Sequence, residues 1–94
     1  MITTSHTAAS RELTRRTILL QLESASPISL SIDTLHNGLT LGGIVLDRAT
    51  VLKELDYLQG SELITSEPSE LSAGLSRYKL NHAGRSYLER EHLI

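Results

Sequence analysis

The stretch from Asp47 to Leu80 constrains this chain most. It reads D-R-A-T-V-L-K-E-L-D-Y-L-Q-G-S-E-L-I, then a polar run, then L-S-R-Y-K-L. Val51, Leu52, Leu55 and Leu58 recur at i, i+1, i+4 and i+7, which is one face of a 3.6-residue period. Asp47 stands where an N-cap should, able to accept from the free N–H groups of a first turn. Gly60 stands where such a helix should end. Leu63-Ile64-Thr65 and Leu75 to Leu80 are β-favouring runs. They flank E-P-S-E-L-S-A-G, a loop by its Pro, Gly and Ser content. The stretch therefore predicts a helix, a tight turn and a two-stranded hairpin.

The rest of the chain supplies more helix. Residues 1–9 are polar and read as a frayed terminus ahead of a single domain over residues 10–94. Ser10 opens a helix to about Ser24, with Leu13, Thr17, Ile18, Leu20 and Leu22 as its apolar stripe. Arg11, Arg15 and Arg16 cluster in its first turns, either as a solvated face or as phosphate contacts. Pro27 ends it. Ile28-Ser29-Leu30 alternates like a short strand. Ser31 caps a second helix with Ile32, Leu35 and Leu39 inward, and Asn37-Gly38 is expected to stop it. Thr40 to Leu46 is a longer link than the 3–4 residues of a tight helix-turn-helix. Asn81 caps a last helix, His82 to about His92, with Tyr87 and Leu88 inward.

Composition narrows the class. With no Trp, Phe or Cys among 94 residues, the core must be aliphatic and no disulfide can form. The N-terminus lacks the basic and apolar regions of a secretory signal, and no apolar run approaches the ~20 residues of a membrane span. The chain reads as cytoplasmic. Four histidines without close ligand spacing, and no Cys, predict no metal and no cofactor. Neither G-x-S-x-G nor a phosphate-binding glycine loop occurs, so no enzyme is expected. Asp33 and His36, at i and i+3, are expected to pair on the second helix.

The central stretch resembles the recognition helix and wing of winged helix-turn-helix domains. The matching residues are Leu55, Leu58, Leu63, Ile64, then Arg77, Tyr78, Leu80, Asn81 and Gly84. Two departures stand out. Gly60 precedes Ser61-Glu62 where the pattern has one glycine directly before Leu-Ile, and Asn81 replaces the usual Thr. The resemblance implies an α+β fold: a three-helix core, a short strand paired with the wing, a two-stranded wing and a C-terminal helix. It also implies sequence-specific binding of double-stranded DNA by a small transcriptional regulator. A second resemblance, to small winged-helix proteins of Mu-like phages and prophages, rests on L-D-Y-L-Q-G with the wing and the final helix after it.

On a helical wheel with Val51, Leu55 and Leu58 inward, Ala49, Thr50, Lys53, Asp56 and Tyr57 point outward, with Arg48 near the edge. Arg48, Thr50, Lys53 and Tyr57 are the candidate DNA contacts on the helix. Arg77 and Lys79, on one face of their strand, are the candidates on the wing. Opposing them are Asp47, Glu54, Asp56, Glu67 and Glu70, within a net charge of −2. The same fold also serves as a protein-interaction module, and that acidic balance suits it. Tyr87, Leu88, Leu93 and Ile94 are expected either to form a homodimer interface or to close the monomer's own core.

Overall fold

The structure is a computed structural model that describes residues 7–68 and 76–94. Four helices each begin on a side chain that accepts the N–H three residues on. Thr7 caps α1 (Ala8–Ala25), Ser31 caps α2 (Ile32–Leu41), Asp47 caps α3 (Arg48–Gly60) and Asn81 caps α4 (His82–Arg90). The first helix thus starts at Ala8 rather than Ser10, because Thr7 caps it by accepting from the Ser10 N–H.

Three helices also end alike. After α2, Ile44 N–H bonds back to the Leu39 carbonyl and Gly43 N–H to Thr40. After α3, Leu63 bonds to Leu58 and Glu62 to Gln59. After α4, Leu93 bonds to Leu88 and His92 to Glu89. This paired return is a Schellman cap, which needs a left-handed residue followed by an apolar one that folds onto the helix. The left-handed residues are Gly43 at φ 90°, Glu62 at φ 63° and His92 at φ 58°. Ile44, Leu63 and Leu93 are the apolar followers, all packed against the core. One expected stop is thereby displaced: Asn37-Gly38 lies within α2, with Gly38 packed close against the Gln21 side chain. α3 does end at Gly60, but the left-handed position is taken by Glu62.

The sheet is antiparallel in the order β1 (Leu30–Ser31), β3 (Ser76–Leu80), β2 (Ile64–Pro68). Leu30 faces Tyr78 on one side of β3, and Ile64 through Pro68 pair with Leu80 through Ser76 on the other. The expected pairing of a short strand with the wing is present, one or two residues later than Ile28, which is exposed. Alternation along β3 turns Tyr78 and Leu80 into the core and Arg77 and Lys79 to its outer face. Residues 69–75, including Glu70, Leu75 and most of the expected loop, lie outside the described residues.

Apart from Tyr78 the core is aliphatic, as composition required: Ile18, Leu19 and Leu22 of α1, Leu35 and Leu39 of α2, Val51, Leu55 and Leu58 of α3, then Ile64 and Leu88. Leu13 departs from its expected place. It is 57% exposed, and Thr14, whose hydroxyl bonds back to the Ser10 carbonyl, is buried instead. Leu52 too faces outward, at 42% exposure.

Candidate nucleic-acid interface

The α2–α3 unit is braced at its link and at both helix starts. His36 Nε2 lies 2.6 Å from the Leu46 carbonyl, which it satisfies as an N–H donor. Asp33, in the first turn of α2, is ion-paired to Arg48 in the first turn of α3. These contacts replace the expected Asp33–His36 pair: each side chain reaches across to the link or to α3. Asp47 accepts the Thr50 N–H at 2.7 Å. The Thr50 hydroxyl and then this N–H hold the Asp47 carboxyl below its ordinary pKa. Thr50, an expected DNA contact, is thus half-buried and serves the cap.

The outward face of α3 carries Ala49, Lys53 and Asp56, all exposed. Tyr57 has turned from this face towards α1. Its ring lies 3.5 Å beneath the Arg15 guanidinium, and Arg15 Nε donates to Glu54 at 2.6 Å. Glu54, expected at the surface, is buried at 4% exposure. The wheel carried that signal: Glu54 comes three residues after Val51 and four before Leu58, which places it inward. The other basic residues of α1 are similarly engaged. Arg16 reaches Glu12 and, at 3.2 Å, Glu91 of α4. A bond with Tyr87, then the charge of Glu12, raise its pKa. Together Arg15, Glu12, Tyr57 and Tyr87 line a cleft of about 370 Å³ between α1, α3 and α4.

The wing begins beside α3, where Gln59 donates to Ser66 at 3.0 Å. Arg77 is half-buried and spends its side-on edge on one residue. Nε donates to the Ser29 hydroxyl at 3.0 Å, and Nη2 to the Ser29 carbonyl. Its cross-strand partner is Glu67, while that of Lys79 is Thr65. Of the four cations expected to contact DNA, Arg48 is therefore paired with Asp33 and Arg77 with Ser29. Among the described residues, Lys53 and Lys79 make no ion pair. Burial raises the Tyr78 phenol above its ordinary pKa, opposed by the nearby charge of Arg48.

The residues expected at a dimer interface divide. Leu88 is fully buried in the monomer and is not available to a partner. Leu93 is drawn onto the core by its cap, and Tyr87 is half-buried against it. Ile94 is exposed. Among the described residues, no group of three potential ligands could hold a metal ion, and no helix is long and apolar enough to cross a membrane.

No protein-family model and no curated protein sequence matches the chain. Solved structures do. A PadR-like transcription factor from Bacteroides fragilis superposes with a TM-score of 0.75 at 18% identity, over 90% of this chain and 82% of that one. A MarR-family transcriptional regulator from Silicibacter pomeroyi gives 0.65 at 27% identity, over 82% of this chain and 47% of that one. A mutant of ZitR from Lactococcus lactis gives 0.70 at 18% identity, over 99% and 58%. The chain thus spans about half the length of the latter two. These structures lend no support to the phage resemblance. Helix order, the α2–α3 unit, the strand pairing and the superpositions agree: the chain has the winged helix-turn-helix fold of bacterial transcription regulators.

Proposed function

We propose that the protein binds double-stranded DNA as a cytoplasmic transcriptional regulator with no catalytic activity. The observation that carries this reading is the presentation of α3. Its inner face is filled by Val51, Leu55 and Leu58, and its start is braced by Asp33 and Asp47. Its outer face is open and bears Lys53, a cation with no ion pair among the described residues. In helix-turn-helix proteins the corresponding helix enters the major groove, its N-terminal residues against base edges. Lys79, on the outer face of the wing, supplies a second cation for a flanking phosphate. A homodimer completes the reading, with exposed Ile94 and the outer edge of Tyr87 at the contact. Two-fold dimers read two-fold operators.

The test is binding of double-stranded genomic fragments across a salt series. Each phosphate neutralised contributes about −0.9 to the slope of log affinity against log salt, so Lys53 and Lys79 give roughly −1.8 per subunit. Lys79→Ala should flatten the slope by about 0.9. The net charge of −2 keeps affinity modest at physiological salt. A second reading, a protein-interaction module, is favoured by Asp56 on the same outer face as Lys53. It takes over if the parent binds no duplex at low salt. Sedimentation at micromolar concentration tests the dimer, and a clean monomer removes it.

A further inference from the structure

The donors of Arg48 are arranged unlike those of the other arginines facing the sheet or α3. Arg77 has spent Nε and Nη2 on Ser29. Arg15 has spent Nε on Glu54, and its face is covered by Tyr57. Arg48 gives Nη1 to Asp33, and its Nε and Nη2 make no hydrogen bond among the described residues. Those two groups share the side-on edge of the guanidinium, two parallel N–H donors in a fixed fork. The side chain is 45% exposed.

We infer that Arg48 reads a guanine in the major groove through its Nε and Nη2 edge, and that Asp33 is the positioning residue that holds the guanidinium for that contact. Guanine presents N7 and O6 side by side, the acceptor pair that a two-donor fork matches. A phosphate would accept the same fork, but Asp33 argues against it. A carboxylate bonded to the guanidinium repels the full charge of a phosphate more strongly than the partial charges on the acceptors of an uncharged base. Position agrees, because Arg48 is the first residue of α3, and base contacts come from the N-terminal end of such a helix. Held at Nη1, the side chain loses less rotational freedom on binding than a free arginine would. The inference rests on the DNA-binding reading and adds to it the base read and the residue that aims the reader.

The test uses the full chain and a double-stranded oligonucleotide pool randomised over the site. The enriched duplex and its single-position variants are then titrated against the parent and four variants. The parent should prefer G·C at one position by roughly 5- to 150-fold, the worth of one bidentate contact. Arg48→Ala and Arg48→Lys should lose that preference at that position alone, since lysine has charge but no fork. Asp33→Ala should lower it, and Asp33→Asn, which keeps an acceptor oxygen for Nη1, should restore most of it. Thermal melts confirm that each variant is folded; Asp33 is 66% exposed, so its removal leaves the core intact. If Asp33→Ala and Asp33→Asn instead tighten binding to every duplex alike and steepen the salt slope, Arg48 holds a phosphate and the inference is wrong. It is equally wrong if Arg48→Ala keeps every base preference of the parent. A parent that enriches no sequence but binds duplex overturns the base reading alone. A parent that binds no duplex at low salt overturns the DNA reading and this inference with it.

Discussion

The side-chain amide of Asn81 donates to the main-chain carbonyl of Glu62 across 2.6 Å. These are the two positions where the chain departs from the winged-helix pattern, and they touch. Glu62 occupies the left-handed position of the Schellman cap that ends α3, where the pattern has glycine. Asn81 keeps the capping role of the usual Thr by accepting the Gly84 N–H at 2.8 Å. Its amide places an N–H donor on a different atom from the capping oxygen, which the single hydroxyl of Thr cannot do, and that donor holds the peptide leaving Glu62.

Glu62→Gly should therefore stabilise the protein. A left-handed L-residue costs about 1–2 kcal/mol. The extra freedom of glycine in the unfolded chain offsets about 0.4–1 of that. A net gain of about 0.5–1 kcal/mol raises the melting temperature by roughly 3–6 °C in a domain of this size. An unchanged or lower melt would show that the Asn81 bond already removes the strain. Asn81→Thr, which keeps the cap, should cost about 1 kcal/mol.

Gly84→Ala should destabilise strongly. Gly84 is buried at the start of α4, and a Cβ there would run into the Leu63 carbonyl oxygen and a Leu80 methyl. The carbonyl accepts the Asn81 N–H at 3.3 Å and cannot freely turn aside, so α4 must shift, at about 1–3 kcal/mol. Urea unfolding measures it. The matching change at Gly38 meets only the flexible end of Gln21 and should cost much less.

Glu54 is buried against Arg15, and the pair ties α3 to α1. Glu54→Ala strands the cation and should cost about 3 kcal/mol. Arg15→Met combined with Glu54→Leu should recover most of that loss, because a well-packed apolar pair replaces two desolvated charges. A double variant as unstable as Glu54→Ala would mean the ion pair itself holds the helices together.

Asp47 gives a pH dependence of known sign. Its carboxyl titrates lower in the folded chain than in the unfolded one, chiefly because the Thr50 hydroxyl bonds to it. Its contribution is thus fully present above the ordinary carboxylate value, about 3.9, and is lost as pH falls through the lower folded value. Asp47→Asn still caps the helix but does not titrate. The parent should melt above Asp47→Asn near neutral pH, and the gap should close in acid. A gap independent of pH would show that Asp47 stabilises only as a neutral acceptor.

Much of the fold was legible because it rests on short-range patterns. The caps at Ser31, Asp47 and Asn81 were readable from residue type and position, since a cap needs only its own first turn. The inward sets Ile32-Leu35-Leu39 and Val51-Leu55-Leu58 come from the helical period alone. With no Trp or Phe to bury, an aliphatic core was forced. The helix ends were less evenly legible: Gly60 is the last residue of α3, but Gly38 marked no stop. Where a helix ends depends on which downstream apolar residue packs, and Leu63 and Leu93 place the turn at Glu62 and His92.

What the sequence could not decide is which cations are free. Residue type makes Arg15, Arg48 and Arg77 equal candidates for a phosphate. Their partners lie 39, 15 and 48 residues away, at Glu54, Asp33 and Ser29. Those pairings exist because α1 packs on α3, α2 starts beside α3, and β3 lies next to the turn before β1. A hydrogen bond acts over about 3 Å, so its partners are chosen by packing rather than by neighbours in the chain. Packing turned Tyr57 to α1, fixed Arg77 on Ser29, tied Arg48 to Asp33 and left Lys53 and Lys79 without an ion pair among the described residues.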